Sequence, residues 1–123
     1  MKTVKIKRSE ITLFMASIDE KTKEQIGQDK IKRLIQKCQE GYGAIYPVRV
    51  VENTYLSGVD YEEKGYSITA ASLDWINART DHKSILLFCN YLASFMLKEC
   101  NQKKVCVSDE FNGTMTTFYN ENI

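Results

Sequence analysis

"SEITLFMASID", residues 9–19, is the stretch whose period decides the class of fold. Ile11, Phe14, Met15 and Ile18 recur at i, i+3, i+4 and i+7, the spacing that lines one face of an α-helix. Ser9 stands where its hydroxyl can accept an orphan N–H of the first turn. A second helix follows from about Lys21 to Glu40, with Ile31, Leu34, Ile35 and Cys38 at the same spacing and Gly41 placed to stop it. The N-terminal third is therefore predicted to be a helical hairpin. The lysine-rich lead-in before it, with Val4 and Ile6 alternating, reads as a short strand or extended arm.

Beyond Tyr42 the residue types change. "AIYPVRVVENTYLSG" is rich in Val, Ile and Tyr, and Pro47 marks an edge strand or a strand's first residues. It predicts a strand, a loop around Ser57–Asp60 and a returning strand, with Lys64-Gly65 as a turn. "SLDWINA" predicts one or two helical turns capped by Ser72, with Trp75 inward. "KSILLFCNYLASFMLKEC" is apolar on nearly every side and predicts a helix at the centre of the core. Its run is too short for a bilayer, which needs about 20 residues. Near the C-terminus, Val105 and Val107 alternate with polar positions, and Asn112-Gly113 predicts a hairpin turn. The chain of 123 residues is expected to be a single α+β domain over 1–123, with an N-terminal helical hairpin, antiparallel β-hairpins and one central buried helix.

Bulk chemistry narrows the functional classes. Net charge is +1, but residues 1–40 carry ten Lys/Arg against six Asp/Glu and residues 41–123 seven against ten. Cys38, Cys89, Cys100 and Cys106 form no C-x-x-C, and His82 is the one histidine, so neither a zinc site nor any cofactor is expected. Reduced thiols and the absence of a signal-like segment point to the cytoplasm.

No motif announces catalysis. In "TDHKS" the residues Asp81, His82, Lys83 and Ser84 are consecutive and cannot all face one another, so Thr80 or Asp81 is read as a cap with His82 exposed. "EGYGA" lacks a phosphate-binding glycine pattern and leads into a strand. Asp60, Glu62 and Glu63 read as solvated turn residues. A non-enzymatic protein is expected. A binding surface is assigned to Tyr46, Arg49, Asn53, Tyr55, Tyr61 and Tyr66, because tyrosine offers a large contact area with few rotors and a polar tip. A nucleic-acid interface is the first alternative, using Lys5, Lys7, Arg8, Lys30, Arg33 and Lys37 against phosphate. A second alternative is sequestration of a small nucleotide-like ligand between subunits, with Tyr and Arg side chains on the base.

Arg8-Ser9-Glu10 and Asp29-Lys30-Ile31-Lys32, within the first 41 residues, resemble small helical-hairpin proteins of prophages and mobile elements in Gram-positive bacteria. That resemblance implies a phage-encoded protein that binds a host protein, for example an inhibitor of a defence system. An exposed edge strand would favour a homodimer. The leading expectation is accordingly a non-catalytic protein that occupies a host protein's surface.

Overall fold

The computed structural model describes residues 1–3, 9–43, 46–71 and 82–123. The stretch that opens the chain is not helical. Residues Glu10–Ala16 form strand β1, in which Ile11, Leu13 and Met15 are buried while Thr12 and Phe14 face the other way. The helical reading grouped Phe14 with Ile11 and Met15, yet Phe14 lies on the opposite face. The ambiguity has a physical origin. β1 hydrogen-bonds on both edges and carries apolar side chains on both faces, so its apolar residues fit either period. No N-terminal helical hairpin exists, and that part of the expected fold is corrected here.

The other elements are helix α1 (Gln28–Tyr42), strands β2 (Val48–Leu56) and β3 (Glu62–Ala71), helix α2 (His82–Glu99), and strands β4 (Lys104–Asp109) and β5 (Thr114–Tyr119). The five strands form one antiparallel sheet in the order β2-β3-β1-β4-β5, consistent with an α+β class. Register places Leu13 beside Ile68 on one flank and Val107 on the other, a continuous apolar row. The helices cover that face with Ile31, Ile35 and Cys38 from α1 and with Phe88, Leu92 and Met96 among others from α2. α2 is the central buried helix that its composition predicted.

Helix α1 begins later and ends later than its sequence suggests. Residues 17–27 form a loop, and the stop is Gly43, in the left-handed conformation at φ 81° with its N–H on the Gln39 carbonyl at 3.3 Å. Gly41 lies inside the helix. Lys64 and Gly65 lie inside β3, and the β2–β3 turn comes earlier, around Gly58 at φ 80°. Pro47 directly precedes β2, an edge strand, where a missing N–H costs least. Asn112-Gly113 does lie in the final turn, within the longer loop 110–113. The expected lead-in at Val4–Ile6 and the "SLDWINA" helix fall outside the described residues.

Burial holds the thiols of Cys38, Cys89 and Cys100 protonated, pushed up to about 11, 12 and 11 respectively. Among the described residues no helix is long and apolar enough to cross a membrane. The strand assignment is directly testable. Leu13→Ala should destabilise the protein by about 2–5 kcal/mol and Thr12→Ala by under about 1 kcal/mol in urea titrations.

Candidate functional site

With the helices on one face, the other face of the sheet is open at its β2–β3 end. Tyr55 and Glu63 are directly opposed partners there. The Tyr61 hydroxyl donates to Glu63 Oε2 at 3.0 Å, and this hydrogen bond is the main cause holding the phenol above its ordinary pKa. Gly65 explains how Tyr55 sits so close to the sheet. A Cβ on Gly65 would lie 3.3 Å from Tyr55 Cε2 and 2.4 Å from the Met15 carbonyl oxygen. The missing side chain lets the ring cover the strand, a pairing of aromatic residue with glycine across a ladder.

These residues wall a cavity of about 450 Å³ whose lining includes Phe14, Tyr55, Tyr61, Glu63, Glu20 and Lys103. Its volume lies in the range of small-molecule sites. One part is aromatic with a carboxylate among the rings. Another is charged, with Glu20 within 2.8 Å of Lys23 Nζ and 3.8 Å of Lys103 Nζ. The Lys23 hydrogen bond, opposed by desolvation and aided by the Lys103 charge, holds the Glu20 carboxyl below its usual range.

Glu20 reaches this cavity because the β1–α1 loop is stapled to the end of α2. Asp19 accepts hydrogen bonds from the Lys21 and Thr22 amides at 2.9 and 3.1 Å. Asn101 Nδ2 donates to both its carboxylate oxygens at 3.2 and 3.0 Å. Glu20 N–H donates to the Asn101 carbonyl at 3.0 Å, and the fully buried Gln102 donates Nε2 to the Ile18 carbonyl at 2.8 Å. Burial pushes the Asp19 carboxyl up, but the donors from Asn101, Thr22 and Lys21 outweigh it and hold the group below its ordinary value.

The residues assigned to a binding surface do not converge on one place. Tyr55 and Tyr61 meet at the cavity. Asn53, on the same strand face, donates Nδ2 to Ser67 Oγ and to Tyr55 Oη at 3.1 Å, while Arg49 extends toward Glu10 at 3.5 Å. Tyr46 packs on Phe88, ring centroids 5.1 Å apart. Tyr66 is a core residue, 1% exposed, whose hydroxyl donates to the Ile26 carbonyl at 2.6 Å; burial, then the Glu52 carboxylate, pushes it up to about 12. Lys30, Arg33 and Lys37 are exposed on α1, and Lys5, Lys7 and Arg8 fall outside the described residues. Sequence reasoning assigned none of Phe14, Glu20 and Lys103 to a site, because nothing along the chain links them; the folded sheet and its stapled loops do. Glu63, dismissed with Asp60 and Glu62 as a turn residue, is part of the site.

No family model matches the chain, and no curated protein matches it in sequence. In three dimensions it is similar to a phage SAM lyase in complex with S-methyl-5'-thioadenosine, with a TM-score of 0.66 over 98% of this chain and 96% of that one at 12% identity. It is also similar to a phage SAM lyase in the apo state, with a TM-score of 0.60 over 91% and 89% at 11% identity. The shared property is the fold, from nearly end to end. Both neighbours are phage proteins, as the resemblance of the N-terminal residues implied; nothing in them points to a Gram-positive host or to that third of the chain in particular. The expectation of a non-catalytic protein that binds a host protein is overturned by this likeness to a lyase fold. Its premise was the lack of a nucleophile, base and orienting group along the chain, and a lyase reaction need not use that trio.

Two outcomes follow from the geometry. Gly65→Ala should lower the melting temperature by several degrees, since the added Cβ meets backbone at Met15 and cannot be relieved by a rotamer change; calorimetry reads it. Asp19 has a lowered pKa in the folded state, so its stabilising contribution is present above the unfolded value near 3.9 and lost as pH falls through the folded one. Asp19→Asn should therefore flatten the acid limb of a stability–pH curve below about pH 4.

Proposed function

We propose that this protein is a lyase that cleaves S-adenosylmethionine, releasing S-methyl-5'-thioadenosine. The observation that carries the reading is the open-face cavity, in which two tyrosines surround a carboxylate, on a fold shared along almost its whole length with a SAM lyase. The substrate has a flat purine, a sulfonium cation and a zwitterionic amino-acid tail. Tyr55, Tyr61 and Phe14 offer ring faces to the purine and to the cation. Glu63, held by the Tyr61 hydroxyl, supplies negative charge beside the sulfonium. Glu20 and Lys103 offer one charge of each sign to the tail.

Cleavage between sulfur and the four-carbon chain sends the bonding electron pair to sulfur, which becomes a neutral thioether. As that bond breaks, the same carbon is attacked by the substrate's own carboxylate, or a neighbouring C–H proton passes to a carboxylate of the site such as Glu63, so no free cation forms. No water is consumed, so the residues' task is to hold the tail and the sulfonium in line and to keep solvent from the reacting carbon. Positive charge is dispersed as the bond breaks, and ring faces of Tyr55, Tyr61 and Phe14 packed on the substrate favour that change. In a phage-infected cell such an enzyme would deplete the methyl donor, and that supports an anti-defence role through a metabolite.

The test is incubation of purified protein with S-adenosylmethionine and chromatographic detection of S-methyl-5'-thioadenosine. Formation of the thioether at a rate at least 100-fold above the protein-free control is expected. Glu63→Gln should lower kcat/KM by about 10²-fold, about 2.7 kcal/mol of transition-state stabilisation. Lys37→Ala, on the far side of the molecule, should leave it unchanged. No thioether from a folded protein would rule the reading out.

A further inference from the structure

The topology assembles a second group of reactive side chains, independent of the lyase reading. His82, the one histidine, was expected to be exposed at a cap; it is instead 17% exposed and held between two partners. Its Nδ1 is hydrogen-bonded to Ser9 Oγ, and its Nε2 lies 2.8 Å from Asp109 Oδ1. Nε2 is buried and faces the carboxylate, somewhat off the line of a straight hydrogen bond.

Antiparallel pairing of β1 with β4 is what brings these residues together. Thr12 is the register partner of Ser108, so the residues just before β1 lie beside the end of β4. Positions 9, 82 and 109 meet there although they are distant in sequence. Asp109 is 3% exposed and anchored by the Asn112 amide at 3.2 Å and Asn112 Nδ2 at 2.8 Å. Burial pushes its carboxyl up, but His82 and Asn112 outweigh that and hold it below the usual carboxylate range. Phe111 lies against the imidazole, centroids 4.8 Å apart at 36°, and is itself 70% exposed. It forms an apolar shelf beside the histidine.

We propose that Ser9 is a nucleophile activated by His82 and Asp109, taking acyl groups from small aromatic esters that rest on Phe111. The proton inventory is consistent. A carboxylate only accepts, so neutral His82 carries its proton on Nε2, facing Asp109, and leaves the Nδ1 lone pair to accept from the Ser9 hydroxyl. Attack forms the Ser9 Oγ–acyl carbon bond and moves the Ser9 proton to Nδ1. The ester C–O bond breaks and the leaving aryloxide takes that proton. Water then repeats the sequence, returning the acid and free Ser9. The ring is used in the reverse sense to the familiar serine hydrolases, with Nδ1 toward the nucleophile, but the roles are the same. Ser9 lies six residues along β1 from Met15 at the other cavity, about 20 Å of strand, so the two sites do not share residues.

An uncharged fluorophosphonate tests the proposal on the intact chain. Its P–F bond breaks as Ser9 Oγ bonds phosphorus, and the adduct is stable to mass spectrometry. One adduct on the peptide containing Ser9 is expected, with none in Ser9→Ala. Labelling should slow at least tenfold in Asp109→Asn and in His82→Ala, and in the latter it should return when imidazole is added to the buffer. Rescue by a free base would not follow if His82 only held the fold together. Phenyl acetate should be hydrolysed faster by the native protein than by Ser9→Ala. No adduct in protein that is folded by circular dichroism overturns the proposal. So does an adduct that survives Ser9→Ala, or a His82→Ala variant labelled at the native rate.

Discussion

Everything in this molecule depends on β1 being paired on both edges. A strand inside a sheet must satisfy its amides with neighbours on either side, so β1 recruits β3 on one flank and β4 on the other. Those strands bring their hairpin partners β2 and β5 with them, and the five-stranded order follows. The inward side chains Ile11, Leu13 and Met15 then require a cover, which α2 and α1 provide. The two ends of β1 also locate the chemistry. Its C-terminal end floors the aromatic cavity, and the residue just before its start contributes the serine beside His82.

The lyase reading changes what counts as a catalytic signature. Hydrolases and transferases show themselves through a nucleophile and a base. Cleavage of a sulfonium can take its nucleophile from the substrate's own carboxylate, and the leaving group, already positively charged, departs neutral. A cavity for such a substrate can consist of rings, a carboxylate and a few countercharges, groups that are common on any surface. Only their convergence is informative, and convergence is a property of register. Tyr55 meets Glu63 across a ladder rung, Tyr61 bends back onto Glu63, and Gly65 leaves room for the ring.

Some of the sheet was legible along the chain. The β2–β3 pair is visible in its Val, Ile and Tyr content, with the turn near Gly58 and Pro47 at the entry. The final hairpin is visible in Val105 and Val107 and in Asn112-Gly113. α2 is visible as an apolar run, and the inward face of α1 as the spacing of Ile31, Ile35 and Cys38. β1 was not legible, because Phe14 on one face and Ile11 and Met15 on the other also fit the spacing of a helix. The helix ends were read wrongly for a related reason. Gly41 and Gly43 are equally suited to a left-handed stop, and the one that serves is Gly43. Tyrosine was a sound guide to Tyr55 and Tyr61, but it could not separate them from Tyr66, whose outline is the same and whose place is the core.

By itself, then, the sequence determined the α+β composition, the central helix, two hairpins and the absence of any self-evident catalytic motif. These are consequences of local propensity and spacing, which act over a few residues and survive in one dimension. The tertiary structure alone decided that residues 10–16 form the middle strand, that a cavity opens at Tyr55, Tyr61 and Glu63, and that Ser9, His82 and Asp109 meet. Each of those depends on backbone hydrogen bonding between segments dozens of residues apart, and no local preference encodes which segments will pair.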